Sequence, residues 1–148
     1  MTQGPITHQW QTRLRIQTTG KHFHDLTPAL AAAIAETGVT IGLCSLFVCH
    51  TSASLLIQEN ADPDVLRDLA TYFDRLVPET AAYRHSSEGP DDMPGHIRTA
   101  LTHTSAQIPI SGSRLALGQW QSVYLWEHRQ YGREREVVVH IMGGPIGR

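Results

Sequence analysis

The sequence predicts an α+β fold: one compact domain spanning 1–148, with a mixed, mostly antiparallel sheet and interspersed helices. Three observations lead there. The chain has 148 residues, 41% hydrophobic and 18% charged, enough to bury one core without covalent staples. Helix signatures with start and stop signals are interspersed among the strand-like runs without pairing off with each of them. The last four strand candidates are separated by turn signals that suit hairpins.

The elements follow in order. His8 to Thr18 alternates, with Trp10, Leu14 and Ile16 set against Gln9, Arg13 and Arg15, as a strand does. "LTPALAAAIAETG" reads as a helix capped by Thr27, with Pro28 at its first position and Gly38 closing it. Val39 to His50 is a near-continuous apolar run, a buried strand. "ASLLIQEN" makes the next strand after a break at Thr51-Ser52. In "DPDVLRDLATYFDRLVP" Asp62 caps, Pro63 follows, and Leu66, Leu69, Phe73 and Leu76 form an apolar stripe that ends at Pro78. A long loop leads to a short helix from Asp92, its cap, through Ile97 and Leu101. "AQIPI", "RLALG", "SVYLWEH" and "EVVVHIM" complete the strands, with turns at Ser111-Gly112 and Tyr131-Gly132. Short flexible ends are expected at about 1–8 and 143–148.

Composition narrows the function. The net charge of −2 argues against a nucleic-acid binder, which needs a basic surplus to neutralise phosphates. No apolar run approaches the ~20 residues of a membrane span, and MTQGPITHQW lacks the features of a signal peptide. Cys44 and Cys49 would lie ~16 Å apart on a strand, too far for a disulfide. Buried reduced thiols in a cytoplasmic protein are expected. Nine histidines are many for this length, and histidine is both a frequent metal ligand and the side chain that titrates near neutrality.

The stretch "YRHSSEGPDDMPGHI", 83–97, concentrates ionisable groups where the backbone is irregular. It reads either as a solvated loop or as a site. His85 and His96 are eleven apart and match no standard zinc spacing. The helix start near Asp92 to His96 favours an anion, which Asp91 and Asp92 oppose unless one caps or a divalent cation intervenes. His50 ends a strand and is either a ligand or bonded to nearby backbone. Glu59-Asn60 is either turn chemistry or part of a site. Strand alternation puts Glu127 and His128 on opposite faces, and Trp120 reads more readily as core than as a ligand platform. No P-loop, dinucleotide-binding glycine pattern or G-x-S-x-G elbow occurs.

Three blocks, "HTSASLLIQENADPD", "YRHSSEGPDDMPGHI" and "LALGQWQSVYLWEHR", resemble the YjbQ-like family, also known as secondary thiamine-phosphate synthase. The resemblance runs from about Trp10 to Gly143. It implies a compact α+β fold, a homotrimer, and weak thiamine-phosphate synthase activity, joining a pyrimidine pyrophosphate to a thiazole phosphate with release of pyrophosphate. The family's motif histidines map onto His50, His85 and His96. Its acidic and amide positions map onto Glu59, Asn60, Asp91, Asp92 and Glu127, and its tryptophan-glutamine pair onto Trp120 and Gln121; His128 matches one branch. The chain departs from the family pattern at Gln119 and Ser122, in "HSSEG", and at His103, changes that bear on substrate fit.

The resulting expectation is a metal-assisted enzyme acting on a small phosphorylated molecule. His50, His85 and His96 hold a divalent metal, zinc or magnesium, or grip phosphate directly if no metal binds. Asp92 or Glu127 fixes a ligand tautomer, and Glu127 or Glu59 acts as a base if burial raises its pKa. Arg84 and Arg98 grip phosphate, with Asn60, Asp91, Trp120, Gln121 and His128 around the substrate. The alternatives are a zinc-dependent hydrolase and a non-catalytic trimer that binds metal or a small ligand.

Overall fold

A computed structural model describes residues 1 and 3–146 of the chain. The order is β1 (His8–Gln17), β2 (His22–Asp25), α1 (Thr27–Thr37), β3 (Val39–Val48), β4 (Ala53–Glu59), α2 (Pro63–Leu76), α3 (Asp92–Leu101), β5 (Ser105–Ser111), β6 (Arg114–Leu115), β7 (Gln121–Glu127) and β8 (Glu134–Ile146). The strands form a five-stranded sheet, β1-β8-β3-β5-β6, and a three-stranded sheet, β2-β7-β4. Every pairing is antiparallel, so the expected α+β class holds. Among the described residues no helix is long and apolar enough to cross a membrane.

The core lies between the two sheets. Cys44, Leu46 and Val48 of β3, Val137, Val139 and Ile141 of β8, and Ile108 and Ile110 of β5 meet Ala53 and Leu55 of β4 and Val123 and Leu125 of β7. Leu30 and Ile34 of α1 join the same cluster. Strand alternation sends the other β7 side chains outward. There Trp126 stacks on Phe23 at 4.5 Å and meets Phe73 of α2 edge-on at 4.9 Å, so α2 covers the outer face of the smaller sheet.

Several local expectations change. Leu26, not Thr27, is the α1 cap; Thr27 sits one residue inside, and its hydroxyl accepts from the Val123 amide at 2.9 Å, tying α1 to β7. Gly38 does close α1 at φ 67, and Asp62 caps α2 by accepting from the Asp64 amide at 2.9 Å. Asp92 is the first residue of α3, after Asp91. β2 forms where no strand is expected from the sequence, and "RLALG" shrinks to the two-residue β6. β8 continues through Gly143 to Ile146, where a flexible end was expected; residues 2, 147 and 148 lie outside the described residues. Cys49 falls beyond β3 and is exposed, while Cys44 is buried and burial pushes its thiol up to about 11.

Gly42 of β3 faces Gly143 of β8. A side chain at Gly42 would overlap the Met142 carbonyl oxygen and sit 2.9 Å from the Gly143 Cα. The central ladder therefore depends on the missing side chain. Gly42→Ala is expected to lower stability by about 1–3 kcal/mol, as overpacking does, read as a lower urea midpoint. An unchanged midpoint would show that β3 and β8 can separate without loss.

Candidate functional site

The loop after α2 and the first turn of α3 bring three ionisable side chains together. Asp92 and His96 are one helical turn apart, so they share a face. His85 reaches them from the loop: its Nε2 lies 2.6 Å from Asp92 Oδ2, and its ring centroid 5.4 Å from that of His96. His96 Nε2 lies 3.4 Å from the same Oδ2. One ligand atom from each of the three lies within 4.8 Å of the others. Asp92 is buried, His96 half-buried and His85 exposed, so the cluster opens to solvent on one side.

The surrounding structure fixes these groups. His96 Nδ1 sits 3.1 Å from the Thr51 carbonyl oxygen. A carbonyl can only accept, so Nδ1 carries the proton and donates. The Nε2 of a neutral His96 then turns its lone pair toward Asp92. Arg129, just past β7, braces the acidic pair. Its Nε donates to Asp91 Oδ2 at 3.0 Å, Nη1 to Asp92 Oδ1 at 2.7 Å, and Nη2 to the Glu88 carbonyl at 2.8 Å. The Gln130 amide donates to Asp91 Oδ2 at 2.7 Å.

These contacts set the charges. Burial works to raise both carboxyls. The hydrogen bond from His85 and the charge of Arg129 outweigh it and hold Asp92 below the usual range. The Gln130 amide and Arg129 do the same for Asp91. Both acids are therefore ionised at neutral pH.

The other expected site residues lie elsewhere. His50 is not among the three clustered groups; its Nε2 accepts from the Glu136 amide at 2.8 Å. That lone pair is committed to the backbone, and burial followed by the Arg135 charge pushes the imidazole pKa down. Its neighbour Thr51 supplies the carbonyl that orients His96. Glu127 is fully buried and paired with Arg135 at 2.5 Å. Although burial works to raise its pKa, hydrogen bonds from Arg135, the Arg129 amide and Thr18 drive it below the usual range, so the raised pKa expected of a base is absent. His128 is buried, with Nε2 2.7 Å from Ser54 Oγ. Arg98, two residues beyond His96 and so ~200° around the helix, is buried and donates to Asp74 Oδ1 at 2.8 Å. Arg84 is exposed next to His85.

Glu59, Asn60, Trp120 and Gln121 form a separate group at the far end of the β4–β7 ladder. The Asn60 amide donates to the Trp120 carbonyl at 2.9 Å, and Glu59 pairs with Gln121 in register. Ala53, near the histidine cluster, pairs with Glu127. Six residues of strand therefore separate the two groups, ~20 Å. The sequence reading missed Arg129. Its signal was the pair Asp91-Asp92 itself, since two adjacent buried carboxylates require a cation within reach.

Comparison with known proteins gives a consistent result. The family model "UPF0047 protein YjbQ-like" matches residues 12–144. UPF0047 protein sll1880 of Synechocystis sp. is 59% identical over 91% of this chain and 92% of its own. UPF0047 protein YjbQ of Escherichia coli O157:H7 is 38% identical over 90% and 98%. A YjbQ/UPF0047-family crystal structure from Clostridium acetobutylicum superposes with a TM-score of 0.81 at 37% identity, covering 88% of this chain and 98% of that one. The conserved hypothetical protein TT1486 from Thermus thermophilus gives a TM-score of 0.76 at 36% identity, over 86% and 97%.

Proposed function

Because the chain belongs to the YjbQ-like UPF0047 family, we propose that His85, Asp92 and His96 form a divalent-metal centre serving chemistry on a small phosphorylated molecule. One observation carries this: ligand atoms of His85, Asp92 and His96 lie within 4.8 Å of one another, with His96 Nε2 3.4 Å from an ionised Asp92 oxygen and Nδ1 already donating to Thr51. Two acceptors so placed call for a proton or a metal cation between them. Two imidazoles and one carboxylate suit zinc or another transition metal, whereas magnesium prefers oxygen donors.

When bound, such a metal supplies Lewis acidity toward a phosphoryl or carbonyl oxygen. The chain's own groups orient the reactants. Arg129 holds Asp92 in place, the Thr51 carbonyl fixes the His96 tautomer, and exposed Arg84 lies within the same loop to grip phosphate oxygens. The donor set favours hydrolysis of a phosphate ester as the second reading beside thiamine-phosphate synthesis, because pyrophosphate departure commonly relies on magnesium. Glu59, Asn60, Trp120 and Gln121 reach this centre only from a neighbouring copy, as in the homotrimer that the resemblance implies.

The test is metal analysis of protein purified without a histidine tag. We expect stoichiometric zinc or another transition metal, and at least tenfold weaker metal binding in both His96→Ala and Asp92→Asn. Metal affinity falls at acid pH, because imidazole and carboxylate ligands bind only when deprotonated. Unchanged affinity in both variants would overturn the centre. Pyrophosphate release that needs both thiamine precursors supports the synthase, and phosphate release from simple esters supports the hydrolase. A monomer in sedimentation would remove the shared-site component.

A further inference from the structure

A cavity lies on the other side of α3 from the histidine cluster. It occupies about 480 Å³ between α2 and the outer face of the three-stranded sheet, lined by Phe23, Leu66, Ala70 and Trp126 together with Lys21 and Arg98. That volume falls within the ~300–1,000 Å³ of small-molecule sites. Its origin can be seen in α2. The helix carries a clear apolar stripe, yet none of its residues is fully buried. Protein interiors rarely leave such apolar surface unfilled by their own side chains.

A buried cationic side chain forms part of the cavity wall. Arg98 is only 2% exposed. Its Nη2 donates to Asp74, but its Nε has no partner among the described residues. An unpaired buried guanidinium N–H is costly. Nearby, His128 Nδ1 and Thr99 Oγ1 are also buried without partners, and the His128 ring lies 4.9 Å from Trp126. Among the charged lining residues, Lys21, Arg67 and Arg98 outnumber Asp74. Lys21 and Arg67 have outer partners in Glu79 and Asp64, and the Asp74 carboxylate sits at the solvent side, 62% exposed.

We propose that this cavity binds a small aromatic carboxylate. The planar body packs against Phe23, Trp126 and the α2 stripe, and the carboxylate accepts from Arg98. The site is distinct from the proposed metal centre and involves no residue of it.

The experiment is an amide and indole NMR titration of the full chain with benzoate and 2-naphthoate, and with neutral benzamide as control. EDTA is present so that no carboxylate registers through a metal. Shifts are expected at Phe23, Leu66, Ala70 and the Trp126 indole, with benzamide at least tenfold weaker. Arg98→Met should weaken the carboxylates at least tenfold and leave benzamide unchanged. Ala70→Leu, which fills the cavity, should abolish binding without lowering Tm, and it decides the matter if the arginine variant does not fold. The proposal is overturned if neither carboxylate gives localised shifts at millimolar concentration, if benzamide binds equally well, or if binding survives in Ala70→Leu.

Discussion

Replacing Glu127 by glutamine is expected to destabilise the fold by about 3–5 kcal/mol, the cost of stripping one partner from a buried ion pair. The carboxylate is fully enclosed and both oxygens are used. Oε1 accepts from Arg135 Nη2 at 2.5 Å and the Arg129 amide at 3.0 Å; Oε2 accepts from Arg135 Nε at 2.6 Å and Thr18 Oγ1 at 2.8 Å. A glutamine NH2 would face at least one of these donors and leave the Arg135 charge uncompensated. Arg135 retains only Ser52, through its carbonyl at 3.1 Å and its hydroxyl at 2.9 Å. Against a typical total of ~5–15 kcal/mol, such a loss is severe. Glu136→Gln, which weakens only the surface pairs with Arg13 and Arg15, should cost about 0–1 kcal/mol. Urea unfolding of the two variants gives the comparison. Replacing Glu127 with leucine and Arg135 with methionine together should recover much of the loss, because the pair as a whole is worth far less than one orphaned half. A Glu127→Gln protein as stable as the parent would return Glu127 to the list of candidate bases.

That contrast shows what the sequence could and could not reveal. Strand alternation, which sets Glu127 and His128 on opposite faces, puts Glu127 on the side of Val123 and Leu125, and that face is the core. Periodicity is a local property and is legible in one segment. The identity of the partner is not: Arg135 lies on the next strand, across a turn, and no spacing rule links it to a carboxylate. The same limit explains His50. Its position at a strand end was readable, but the Glu136 amide that occupies its Nε2 comes from β8, 86 residues away. Asp92 and His96 share a helical face by spacing alone, whereas the approach of His85 depends on an irregular loop that Arg129 holds. N-caps were legible where the cap residue's own side chain does the capping, as at Asp62, and not at α1 or α3, where the cap residue makes no side-chain hydrogen bond.

The folded protein is expected to lose stability as pH falls from 6.5, with His128 as the largest single cause. Its imidazole is almost fully enclosed, and its pKa is pushed down to about 3, first by burial and next by the charge of Arg98, with Glu127 opposing only in part. In the unfolded chain the same group titrates near ~6.5. The folded value is the lower of the two, so the unfolded state takes up a proton that the folded state refuses. Stability is full above pH ~6.5 and declines by about 1.4 kcal/mol per pH unit until the folded pKa is reached. His24 and His50 are also pushed down, burial first, and steepen the decline just below 6.5. Asp91, Asp92 and Glu127, held low in the folded state, add to it only below ~4. His128→Gln separates these contributions. Glutamine can keep a hydrogen bond to Ser54 Oγ from the place of Nε2 and cannot be protonated in this range. Urea unfolding of both proteins at pH 7, 6 and 5 should show the wild-type curve falling more steeply, by about 1.2 kcal/mol for the step from 6 to 5. Parallel curves would mean that His128 charges inside the fold, which would require a hydrogen-bond acceptor at Nδ1 where the described structure has none.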